Sequence, residues 1–283
     1  MASLFVAPVS IEVLDASLRV GVAGLLCSTS QVPKSGVGYG GIDYALLRAM
    51  HGGRSDVTVE RDHLRVHAMS NEESIDWLEQ DARHGFTGVM IHTHANDSLG
   101  AQMATEATSR GLAVQLGPGE DESEVTNQQA ILTAHQAKHC AFISWPICTY
   151  VDNTSNRGQF VPPIMQPSNV DFRAHNCDYL SLAQLRHVAQ YVSGVNVAPQ
   201  LGSIQSATYL QIAMSEGLPI DDWVAACVTD DKNAARWCPE RPELRVIACG
   251  HYHYDKIAWR GSVYDRVIQL LMSKLLLLKG AVQ

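Results

Sequence analysis

Three apolar stretches of this 283-residue chain end in histidine: Val57 to His63, Val89 to His94 and Val170 to His175. The ends of strands are where α/β enzymes collect ligands and catalysts, so imidazoles leaving several strands on one rim can meet around a metal ion. Asp62 and His63 place a carboxylate beside an imidazole. Strand alternation sends neighbours to opposite sides unless the strand ends there, so one would bind metal while the other meets substrate. A surface Asp-His pair is the plain alternative. His92 and His94 lie two apart, on one side of a continuing strand. They suit two ligands of one Zn²⁺, or one ligand and one hydrogen-bonding neighbour. His175 is the third candidate ligand; burial with a backbone hydrogen bond would explain it equally simply. Gln115, Glu120, Asp121 and Glu122 flank the loop Gly117-Pro118-Gly119, where Glu120 would complete the coordination sphere or act as base, unless the acidic loop is merely solvated.

Other catalytic schemes find little support. The chain has six lysines and none lies in an evident strand, which argues against a buried Schiff-base lysine. Neither a Gly-x-Ser-x-Gly elbow nor a Walker motif occurs. Gly36, Gly38, Gly40 and Gly41 could bring backbone amides to an anion or simply form a turn.

The elements that would position these residues alternate as β/α units from about residue 11 to residue 215. Ser74 to His84 reads as an amphipathic helix stopped by Gly85, and Phe86 to Ile91 as a buried strand. A helix from Ser98 to Arg110, a strand from Leu112 to Leu116, a helix from Thr126 to Lys138 and a strand from Cys140 to Ser144 follow. Ile147 to Ser168, rich in Asn, Ser, Gly and Pro, reads as a long loop. Order returns with a strand Asn169 to Ala174, a helix Ser181 to Ser193, a strand Gly194 to Ala198 and a helix Ser206 to Glu216. Four or five units are explicit, and eight are inferred. The expected architecture is a (β/α)8 TIM barrel over residues 1–218, with 219–283 as a helical and irregular extension packed on it. The length suits such a barrel, which commonly runs to about 250 residues.

Composition sets outer limits. The formal charge of −8, with 21 Lys and Arg in no basic run, argues against a nucleic-acid surface and for a small-molecule substrate. Seven scattered cysteines without a CxxC pair fit a reducing cytoplasm. The opening MASLFVAPVS lacks the form of a signal peptide. The apolar tail from Val267 to Leu278, interrupted by Ser273 and Lys274, is shorter than the roughly 20 residues of a membrane span. It reads as a packed helix, against its own barrel or within a homo-oligomer.

Several short motifs together resemble the class II ketose-bisphosphate aldolase superfamily. They are Asp62-His63, Gly85-Phe-Thr-Gly-Val-Met-Ile-His92, Val114-Gln-Leu-Gly-Pro-Gly-Glu-Asp121, His175 and Val195-Asn-Val-Ala-Pro-Gln200. The likeness is closer to the non-catalytic type of tagatose-bisphosphate aldolase subunit, through Ser30-Gln31, Gly38-Tyr39-Gly40-Gly41, Asp62-His63-Leu64, Met165-Gln166-Pro167, Ala174-His175-Asn176-Cys177-Asp178-Tyr179 and His251-Tyr-His-Tyr-Asp-Lys256. The resemblance implies a zinc or other divalent ion held by His63 and His175, and proton transfer by Asp62; His92 or His94, absent from the family's usual pattern, would substitute for a missing ligand. It implies substrate contacts from Ser30, Gln31, Gln115, Gln166, Asn176, Asp178 and Asn196. The implied reaction is reversible aldol cleavage, or enediolate epimerisation, of a ketose or ketose phosphate. The alternatives are a stabilising subunit that binds a catalytic aldolase, and a barrel recruited to an unusual sugar. Two departures matter. A family zinc-ligand histidine is replaced around Gln166. Asn176-Cys177-Asp178 stands where the family has a Gly-rich phosphate loop, and an Asp there would repel a phosphate dianion.

Overall fold

A computed structural model describes residues 1–92, 98–117, 140–146, 171–175, 177, 180–197, 199–220, 254 and 257–283. Eight parallel strands close into a barrel in sequence order: β1 (Ser3–Val6), β2 (Gly24–Ser28), β3 (Thr58–Leu64), β4 (Gly88–His92), β5 (Ala113–Gly117), β6 (Phe142–Pro146), β7 (Asp171–His175) and β8 (Gly194–Val197). β8 returns to β1 through Phe5 opposite Asn196, which completes the expected (β/α)8 ring.

The helices begin where side chains can satisfy the free amides of a first turn. Ser10 accepts from Val13 at the start of α1 (Ile11–Val20), Asp43 from Leu46 at α2 (Tyr44–His51), and Ser70 from Glu73 at α3 (Asn71–Arg83). Helix α3 therefore starts before the expected Ser74. After α4 (Ser98–Ser109), Ser181 and Gln184 form a reciprocal capping box at α5 (Leu182–Val188). Helix α6 (Pro199–Glu216) begins before the expected Ser206, and α7 (Arg260–Val282) extends the expected tail helix at both ends. The expected Thr126 to Lys138 helix and Ile147 to Ser168 loop lie outside the described residues. None of the described helices is long and apolar enough to cross a membrane.

Strand alternation divides the side chains into two cores. Leu25, Val89, Ile91 and Val195 face the helices in a large apolar cluster. Phe5, Ala7 and Leu26 form a small one inside the barrel. Glycines make room for this interior, as small residues facing large ones do in small barrels. A Cβ on Gly24 would lie 2.3 Å from Thr58 Oγ1 and 2.6 Å from the Phe5 ring, and one on Gly194 2.7 Å from that ring. The Gly-rich segment 36–41 is a turn: Gly38 N–H donates to Ile42 O and Gly41 N–H to Gly38 O, both at 2.9 Å. A Cβ on Gly38 would sit 1.9 Å from Gln31 O, so close backbone packing accounts for that glycine.

Helix α7 packs across α1, α5 and α6. Glu12, fully buried in α1, accepts from Arg260 through both oxygens, from Tyr209 Oη at 2.8 Å and from Gln205 Nε2 at 3.0 Å. Lys279 Nζ donates to the carbonyls of Val20 and Gly21, where the α1 dipole is negative.

Candidate metal centre

The histidine-bearing strands meet at the C-terminal mouth of the barrel, and β3 does so by leaving regular geometry. Arg61 pairs with Val89 and Leu64 with Ile91, so three steps on β3 match two on β4. Within this irregularity His63 has φ 55°, the sole positive φ among described non-glycine residues. The kink cancels strand alternation and turns Asp62 and His63 to the same rim: His63 Nε2 lies 3.1 Å from Asp62 Oδ2.

From the opposite side of the barrel, β7 brings His175, whose ring centroid is 5.9 Å from that of His63. Ligand-type atoms of Asp62, His63 and His175 all lie within 4.8 Å of one another. His92, from β4, sits against His63 with Nε2 2.7 Å from His63 Nδ1. That contact is the one a hydrogen-bonding neighbour of His63 would make. Gln115 on β5 and Asn196 on β8 both direct their amide nitrogens at His175 Nε2, the former at 2.7 Å. Ser30 is exposed, with Oγ 3.1 Å from Ser28 Oγ. Gln31 is buried, and its Oε1 accepts from Ser28 N–H at 2.7 Å, which shapes the turn after β2. His94, Glu120, Gln166, Asn176 and Asp178 lie outside the described residues.

Electrostatics separate the roles. Burial pushes the Asp62 carboxyl pKa up, but the charge and hydrogen bond of His63, followed by His175 and His92, outweigh it and leave the pKa below its ordinary value. Asp62 is thus ionised at neutral pH. Burial, then the charge of His63, brings His92 down to about 2, so that imidazole is neutral. Asp62 Oδ1 is buried without a hydrogen-bond partner, as is Asn196 Oδ1. An orphaned carboxylate oxygen beside two imidazoles is an environment that a divalent cation would satisfy, and His with Asp is a donor set zinc accepts. Ligands about 2 Å from one ion stand roughly 3–3.5 Å apart, so the observed spread needs side-chain shifts of about an ångström.

The mouth rests on two buried charge pairs that sequence reading missed. Arg61 faces outward from β3 with no exposure; it binds Asp81 of α3 through Nε and Nη2 and collects the carbonyls of Cys27, Ser28 and Val32 through Nη1. Glu60 and Arg173 face inward and bind each other. The available signal was three charged residues, Glu60, Arg61 and Arg173, inside the strands that run on to Asp62, His63 and His175.

The sequence matches no protein-family model and no curated protein. Solved structures are similar in fold. A Coccidioides immitis protein described as a fructose-1,6-biphosphate aldolase is 12% identical with TM-score 0.54, covering 99% of this chain and 92% of that one. The YdjI aldolase of Escherichia coli K12 is 12% identical with TM-score 0.54, covering 92% and 90%. Phosphonopyruvate hydrolase is 12% identical with TM-score 0.52, covering 83% and 89%. At this identity the likeness is one of architecture: the chain shares the closed β/α barrel of these aldolases and of the hydrolase.

Proposed function

We propose that the chain is a divalent-metal-dependent enzyme of class II aldolase type, catalysing reversible aldol cleavage, or the related enediolate epimerisation, of a ketose or ketose phosphate. One observation carries this reading: Asp62, His63 and His175 converge within 4.8 Å at the mouth of the barrel, with a carboxylate oxygen left unpaired. His63 and His175 would hold the ion, zinc being the first choice for imidazole donors. When bound, the cation supplies polarisation of the substrate carbonyl and stabilisation of the enediolate.

The chain's own residues account for the rest. Asp62, ionised and carrying a free Oδ1, accepts the proton of the hydroxyl whose carbon becomes the aldehyde, as the adjoining carbon–carbon bond breaks. In condensation it returns that proton to the aldehyde oxygen. His92, neutral and in contact with His63 Nδ1, fixes the His63 ring, as the outer partner of a ligating histidine does. The amides of Gln115 and Asn196 point at His175 from β5 and β8.

The test is metal analysis of the purified full chain, with turnover of phosphorylated and unphosphorylated ketoses before and after chelation. About one divalent ion per chain, and activity lost with chelator and restored by zinc, are expected. A chain that neither carries nor binds a divalent ion, and whose turnover ignores chelator, overturns the proposal. A chain that is inactive alone yet raises a partner aldolase's activity would instead restore the subunit reading.

A further inference from the structure

Strands β3 and β7 are diametrically opposed in an eight-stranded barrel, and both carry mouth residues. Two residues below Asp62, on the same interior face, is Glu60; two residues below His175 is Arg173. These charges meet across the barrel: Arg173 Nη1 donates to Glu60 Oε2, and Thr58 Oγ1 donates to Glu60 Oε1 at 3.0 Å. The guanidinium is sandwiched between Phe5, 4.2 Å from its carbon, and Phe142, at 3.8 Å. A buried ion pair adds little stability over well-packed apolar side chains, so this crossbar calls for another explanation.

The orientation of Gln115 supplies one. A guanidinium has donors only, and Arg173 Nη1 lies 3.4 Å from Gln115 Oε1. The Gln115 carbonyl therefore faces Arg173, and its amide NH₂ faces His175 Nε2 at 2.7 Å, beside the Asn196 amide nitrogen that points at the same atom. That nitrogen must accept, which leaves the proton of neutral His175 on Nδ1. We infer that Arg173, anchored across the barrel by Glu60, is a positioning residue that acts through Gln115, alongside Asn196, to hold His175 with Nε2 unprotonated, the form in which that nitrogen can bind a cation that displaces the amides. The inference rests on the metal-site reading for its purpose, but the orientation is a property of the metal-free chain.

The experiment uses the full chain stripped of metal. Nitrogen-15 correlation spectra of the imidazoles, assigned with His175→Gln, report the His175 tautomer, and optical titration with Co²⁺ reports affinity. Wild type is expected to show the Nδ1–H form. The double variant Glu60→Leu/Arg173→Met, which leaves no unpaired charge, is expected to lose that single form and to bind Co²⁺ about 10- to 100-fold more weakly. Gln115→Glu, which keeps the ion pair but offers His175 only acceptor oxygens, should move the proton to Nε2 against the remaining Asn196 amide, and it decides the question if the double variant fails to fold. An Nε2–H tautomer in wild type, or an unchanged His175 signature in a folded variant, overturns the inference. So does equal Co²⁺ affinity in all three proteins. If wild type binds no Co²⁺, the metal reading falls, while the His175 signature still decides the role of Arg173.

Discussion

Asp62 and His63 are adjacent in sequence yet share one rim, which a regular strand forbids. Their closeness makes Asp62 the residue to change first. Asp62→Asn keeps the shape but removes the proton acceptor, and kcat is expected to fall about 10²- to 10⁴-fold, the usual worth of a positioned acid–base group. Steady-state rates with saturating zinc measure this, and an unchanged kcat rules out proton transfer by Asp62. Histidines at the ends of apolar runs were legible because a strand end in an α/β chain has few other uses for imidazole. The contact between His63 and His92 was not, because it depends on a kink at one residue and on a partner 29 positions away. Glu60 and Arg173, 113 positions apart, were hidden for the same reason: the sequence displays the charges but not the barrel diameter that joins them.

Among the elements, β3 carries the heaviest constraint, since each of its last residues serves a different neighbour. Arg61 locks it to α3 through Asp81, and Tyr44 of α2 joins by donating to Asp81 at 2.6 Å. Both charges are wholly buried, so removing one strands the other. Asp81→Ala is expected to cost about 3–5 kcal/mol, read by denaturant unfolding, with the midpoint shifted and the slope unchanged. A cost under about 1 kcal/mol would mean that water replaces the lost carboxylate. The buried face of α3 also shows why its start was misread. Ser74 and Asp81 lie on that face with Trp77 and Leu78, so hydrophobic periodicity underestimates it, and the true start is set by the Ser70 cap. The early start of α6 at Pro199 has a similar origin, since proline suits a first helical turn.

At the scale of the whole molecule, alternation of β and α units was enough to infer eight strands, but the packing that closes them was not readable. Closure depends on Gly24 and Gly194 yielding space to Phe5, and glycine in a strand has several meanings until its neighbours are known. The attachment of α7 likewise hinges on Glu12, a residue without periodic signal. Burial pushes the Glu12 pKa up, but Arg260's hydrogen bond and charge, then Tyr209, leave it below its ordinary value. With the folded pKa below the unfolded one, the stabilisation is complete above about pH 4.5 and drains as pH falls through the folded value, where the unfolded chain binds more protons. The gap in Tm between wild type and Glu12→Gln should therefore be widest near neutrality and narrow on acidification. A gap independent of pH would show that the carboxylate charge contributes nothing to holding α7.

The left-handed backbone at His63 sets folding against chemistry at one position. An imidazole-bearing residue there costs about 1 kcal/mol that glycine would not. Strain and site chemistry thus fall on the same residue: the described non-glycine position with a left-handed backbone is also the one whose imidazole meets those of β4 and β7.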